Sequence, residues 1–246
     1  MDKRKSTVHR TTNASDFTDS LQPGDIISGA DMLGIDDRVA DALPPVGWLR
    51  GDASPFPMDV FDCRAAALTH VSMTGDPAIA ESFSRLRQSD GTEYIGTTPE
   101  DPAYFEIALQ IPLHGEELRD GPLFKAEQME DKWDIYRYGD IYYFVRSWTG
   151  TLIHLAHGHV REGVLHIDGI ITASQMVDQR DRTFFACEVF FLLFNHVLGI
   201  EYPHPMPSYR AGDEDSIVQF SFAEFGRRGW YAAVVGELVP PDKQGL

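Results

Sequence analysis

The sequence predicts an α+β protein whose centre is a mostly antiparallel sheet of six to eight strands, and three observations lead there. Four strand-like runs, 132–138, 141–148, 152–160 and 164–172, are joined by Gly139-Asp140, Thr149-Gly150 and Arg161-Glu162-Gly163. Short glycine-bearing connections of this kind make hairpin turns, so the four runs form a meander. A further pair of apolar runs, 217–225 and 230–238, flanks Gly226-Arg227-Arg228-Gly229 and reads as a C-terminal hairpin on the same sheet. Two stretches with a helical period, 77–88 and 183–198, supply helices to pack against it.

Taken in order, residues 1–20 are polar and without period, and read as a flexible tail ahead of a single compact domain over 21–246. Met32, Ile35, Val39 and Leu43 step by three or four residues, placing one apolar stripe on a short helix that Pro44-Pro45 ends. Residues 47–57 read as loop, and 58–73 as a strand because Val, Phe and Leu recur in rough alternation. Asp76-Pro77 supplies an N-cap followed by proline at the first helical position, and Ile79, Phe83 and Leu86 continue one face of the helix. Residues 104–113 alternate like a strand, 114–130 read as a surface loop, and the meander follows. The run 183–198 is apolar nearly all round, which marks a buried helix, with Gly199 as its C-cap; 202–215, with three prolines, is an irregular loop.

Composition narrows the function classes. A hydrophobic fraction of 43% suits a folded globular chain, and 38 acidic against 21 basic residues give a formal charge of −17. Such a surface repels nucleic-acid phosphates and anionic lipid, which argues against nucleic acid and membrane as partners. The most apolar segment, 184–200, is interrupted by Glu188, Asn195 and His196 and is too short to span a bilayer comfortably. Two cysteines in apolar surroundings, Cys63 and Cys187, and no apolar leader after the basic start fit a cytoplasmic protein. Neither the cofactor nor the oligomeric state is legible.

Two constellations carry chemistry. His157 and His159 form an H-x-H pair on one face of a strand, with Glu162 and His166 near enough to complete a metal site; exposed histidines on a wet sheet face are the structural alternative. The run from Gly150 to Gly169 is superficially similar to a metal-binding cupin motif, but the spacings from Gly150 to His157 and from His159 to Glu162 are each off by one residue. Arg146 lies between Phe144 and Trp148 on one strand face, where a guanidinium between aromatic rings can stack on a planar ligand or clamp an anion, with Arg64 as a second cation. The structural alternative pairs each arginine with a carboxylate such as Asp62 or Asp134. No G-x-S-x-G, H-E-x-x-H, P-loop or G-x-G-x-x-G occurs.

The run Met129-Glu130-Asp131-Lys132-Trp133-Asp134-Ile135-Tyr136, followed by Arg146-Ser147-Trp148-Thr149-Gly150, resembles an EDKWxIY…RSWTG signature in a group of uncharacterised bacterial proteins associated with ADP-ribosylglycohydrolase genes or fusions. About two dozen residues carry it, and Phe61-Asp62-Cys63-Arg64 extends the pattern. The resemblance implies work near ADP-ribose, with Arg146, Trp148, Arg64 and Trp133 as contacts. It does not make the chain a glycohydrolase, because the clustered metal-binding aspartates of such an enzyme are missing. The leading expectation is therefore a non-catalytic binding or interaction protein, accessory or immunity-like, that takes a protein partner or a nucleotide-like small molecule. The alternative is an enzyme, either metal-dependent through His157 and His159 or a hydrolase of an ADP-ribose-like ligand.

Overall fold

The computed structural model describes residues 45–174 and 182–238. The tail expected at 1–20 and the helix expected to end at Pro44-Pro45 lie outside them.

The α+β class and the meander are present. Six strands, β3 (Pro102–Pro112), β4 (Gly121–Phe124), β5 (Trp133–Tyr138), β6 (Ile141–Arg146), β7 (Leu152–Arg161) and β8 (Val164–Ala173), form one sheet in the order β3-β8-β7-β6-β5-β4. Every pairing in it is antiparallel. Alternation along the strands divides the side chains. Trp133, Ile135, Tyr142, Phe144 and Ala156 face the main core, while Tyr136, Tyr143, Val145 and Leu155 pack with Tyr94 on the other side.

The helix α1 (Arg64–Thr69) is short, and α2 (Pro77–Leu86) starts as the sequence predicts, with the Asp76 carboxylate accepting from the amide of Ala78. The helix α3 (Arg182–Phe191) buries Phe184, Phe185, Val189 and Phe191 in the main core. It continues into a π-helical turn, Leu192–Val197, which ends before Gly199 at φ +67°. Such turns are rare and often mark functional sites.

Several expectations are corrected, the surface loop over 114–130 among them, since β4 forms within it. The run 58–73 is not one strand: β2 (Val60–Asp62) stops after three residues, and the alanine-rich stretch behind it forms α1. The C-terminal hairpin does not form either. Residues Glu214–Phe225 are the helix α4, capped by Asp213, whose carboxylate accepts from the amide of Ser216. The buried residues Ile217, Phe220, Ser221 and Phe225 repeat at three or four, a helical period that outweighs the local alternation. The last strand, β10 (Tyr231–Val234), joins a second sheet in the order β1-β2-β10-β9, with β1 (Gly47–Leu49) and β9 (His204–Met206) taken from stretches expected to be loop. β10 runs antiparallel to β2 and parallel to β9.

Candidate functional site

The strand β5 and the residues that lead into it hold the chemistry of this molecule together. Arg146, paired with Trp133 across β5 and β6, sits with its guanidinium 4.2 Å from the Trp133 ring. It donates from Nη1 to the Glu224 carbonyl at 2.9 Å and from Nη2 to the Glu224 carboxylate. Trp133 is fully buried and donates its indole N–H to the same carbonyl at 2.7 Å. Trp148 lies beyond the end of β6, in a turn, so it does not flank Arg146 along the strand. It donates to the Met129 carbonyl at 2.7 Å, and the Lys132 ammonium stands 4.3 Å from its ring. Arg64 forks onto its neighbour Asp62, with Nη2 to Oδ2 at 2.7 Å, and lies 5.0 Å from the Tyr231 ring. Each of the four has its polar atoms engaged within the protein, Arg146 and Trp133 at Glu224, Trp148 at Met129 and Arg64 at Asp62.

His157 and His159 share the exposed face of β7, with buried Gly158 between them. A bulge at Asp168 of β8 shifts the register, so His157 stands opposite Gly169 and His159 opposite His166. His159 stacks on His166 at 5.4 Å and lies 3.3 Å from Asp168, on the exposed side of the sheet. Among the described residues, no three His, Cys, Asp or Glu side chains are grouped to hold a metal ion. The third histidine of β7, His154, is fully buried against Glu188 at 3.0 Å and stacks on Trp133. Cys63 is a free thiol that burial pushes up to about 12, so it is not a nucleophile at ordinary pH.

An open cleft of about 450 Å³, within the size range of small-ligand sites, lies elsewhere. Asp131 and Gln128 line one side of it, the π-helical Asn195 with Gly199 and Glu201 another, and Arg227, Arg228 and Trp230 the end of α4. Arg228 donates to the Asn195 carbonyl at 3.4 Å and lies 4.8 Å from the Phe124 ring. Arg227 has no ion pair or side-chain hydrogen bond among the described residues, and its Nε is buried without a partner. The same holds for Asn195 Oδ1 and for the indole N–H of Trp230. Buried polar atoms are nearly always paired, so three orphans lining one cleft require an explanation. Burial pushes Asp131 up, against the hydrogen bonds it accepts from the amides of Glu127 and Gln128 and the nearby charges of Arg228 and Arg227.

The two arginines are aimed by their backbone. Gly226 ends α4 at φ +58°, a conformation that favours glycine, and the next amide, of Arg227, donates to the Glu130 carbonyl at 3.1 Å. The Arg-Arg pair between two glycines is visible in the sequence, but a hairpin reading makes it a solvated turn. Only with α4 in place do Arg227 and Arg228 turn towards Asp131.

Among the described residues no helix is long and apolar enough to cross a membrane. Comparisons with protein-family models, with curated proteins and with solved structures return no match to this chain.

Proposed function

We propose that this protein binds a small anionic ligand in the cleft between Asp131, Asn195 and Arg227. The observation that carries the reading is the Arg227 guanidinium, which has no ion pair among the described residues and whose Nε is buried without a partner there. Beside it, the indole N–H of Trp230 offers a second donor and Asn195 Oδ1 an acceptor, so the complementary ligand has an anionic group and a nearby hydroxyl or amine. Phosphate and carboxylate both suit a guanidinium fork. A nucleotide-like molecule such as ADP-ribose falls within this class. The binding face moves from Arg146 and Trp148, which the fold engages, to the far end of α4.

Isothermal titration with inorganic phosphate, a hydroxycarboxylate and ADP-ribose tests the proposal. A charge-assisted hydrogen bond is worth about 1.5–3 kcal/mol, so Arg227→Met should weaken the best ligand by about 10- to 150-fold. Absence of binding by all three at millimolar concentration, or an Arg227→Met affinity within twofold of the parent, overturns it.

A further inference from the structure

We propose that Ser72 and Lys132 form a nucleophile–base pair that accepts the acyl group of a carboxylic ester, at a site separate from the arginine cleft. The two residues are 60 positions apart, Ser72 in the segment after α1 and Lys132 just ahead of β5, yet Lys132 Nζ and Ser72 Oγ share a short hydrogen bond. Two further contacts fix each partner. The Met129 carbonyl accepts from Lys132 Nζ at 3.1 Å, and the amide of Ser72 donates to Glu130 Oε1 at 2.9 Å. A nucleophile touching a base that a third group orients is the arrangement required for serine activation.

The surroundings of Lys132 favour its neutral form. Its Nζ stands between the rings of Trp148, at 4.3 Å, and Phe222, at 5.0 Å, and this burial lowers it to about 8. The charge of Arg146 acts in the same direction, while Glu130 and Asp131 act against it. His70, packed on the other ring of this sandwich at 5.3 Å from Phe222, is the remaining titratable neighbour. A neutral amine keeps two N–H donors, one of them for Met129, and turns its lone pair to the Ser72 hydroxyl. Ser72 belongs to a segment without regular structure and is itself partly exposed, next to Met73 at 46% exposure.

The chemistry balances without a further reagent. The Ser72 hydroxyl proton passes to Lys132 Nζ as Oγ bonds the ester carbonyl carbon. The tetrahedral intermediate then expels the alcohol oxygen, which takes that proton from the Lys132 ammonium. Water attacks the acyl-Ser72 in the same way, giving its proton to Lys132 and releasing the acid and free serine.

The test is labelling of the full chain with a fluorophosphonate, in which the Ser72 Oγ–P bond forms, the P–F bond breaks and fluoride leaves, together with hydrolysis of p-nitrophenyl acetate. One adduct per chain is expected, on the peptide containing Ser72, at a rate that rises with pH and levels above about 8. Ser72→Ala should abolish it. Lys132→Arg keeps a cation between the two rings but cannot lose its proton in this range, so it should label at least about 100-fold more slowly. Labelling run beside the anion titration on the parent chain separates the two: binding without an adduct overturns this proposal alone, and an adduct without binding overturns the cleft reading alone. No adduct, an adduct elsewhere, or Lys132→Arg within threefold of the parent across the pH range overturns the proposal.

Discussion

Gly226→Ala is the substitution for which the structure gives the largest defined consequence. At φ +58°, ψ −134°, the backbone occupies a region essentially confined to glycine, and an alanine methyl would lie 1.7 Å from the Glu130 carbonyl oxygen. That oxygen is backbone in the segment leading into β5 and cannot swing away as a side chain would. Forcing a non-glycine residue into such a region costs about 1–3 kcal/mol. Pushing the chains apart also breaks the 3.1 Å bond from the Arg227 amide to Glu130, worth about 0.5–1.5 kcal/mol net. The sum, about 1.5–4.5 kcal/mol, lowers the melting temperature of a chain this size by roughly 3–18 °C. Gly139→Ala is the control: φ is +62° there, but a methyl has nothing within 4 Å, so only the backbone term of about 1 kcal/mol remains. Urea unfolding and ligand titration of both variants read the difference. Because Arg227 and Arg228 follow Gly226 directly, Gly226→Ala should also weaken anion binding more than tenfold, and Gly139→Ala should not. Equal stabilities for the two variants, or unchanged anion affinity in Gly226→Ala, would refute the account of how the cleft is built.

Two further outcomes follow from burial. Arg146→Met removes both contacts to Glu224 and the contact with the Trp133 ring. The pair is only partly buried, at 22% and 17% side-chain exposure, so the loss should be about 2 kcal/mol by urea unfolding, less than for a fully buried pair. Anion affinity should stay within twofold; a larger fall would return the binding site to this face. Burial lowers His204 to about 4, while an unfolded histidine titrates near 6.5. Between those values the unfolded chain holds a proton that the folded chain refuses, so this stability is fully present above about pH 6.5 and is lost on acidification towards 4, at up to about 1.4 kcal/mol per pH unit. Buried His196 adds to the slope in the same direction. Urea midpoints of the parent and of His204→Leu across this range check it, and an unchanged slope in the variant would contradict the burial account.

The meander was legible because its evidence is local. Alternation sets the faces, and the turns at Gly139-Asp140 and Glu162-Gly163 use positive φ at their glycines. The second sheet was hidden because its strands have only three or four residues and pair across distant parts of the chain. Helix α4 shows two periods in competition. Phe220-Ser221-Phe222 alternates like a strand, but Asp213 with Glu214 and Asp215 is a helix-start signal of the kind recognised at Asp76. The cleft draws on the end of α1, the entry to β5, the π-helical turn and the end of α4, so no window of sequence contains it. The Ser72 and Lys132 pair spans 60 residues for the same reason. The aromatic-flanked arginine at 146 was visible, but sequence alone could not show Glu224 reaching it from α4.

The opening of β5 joins the two proposed sites. Glu130 reaches Ser72 with its side chain and Arg227 with its carbonyl, Asp131 lines the cleft, Lys132 returns to Ser72, and Trp133 enters the core. Successive side chains at a strand entry diverge, so cleft and amine have different side chains but are coupled through Glu130 and through the charge of Asp131 beside Lys132. Within that frame the unpaired arginine is the more telling feature. Acidic side chains outnumber basic ones 38 to 21, and Arg50, Arg64, Arg119, Arg137 and Arg146 each have a carboxylate partner. Arg227 differs from those five in having no carboxylate partner among the described residues while its Nε is shielded from water, and an anion in the cleft would complete it.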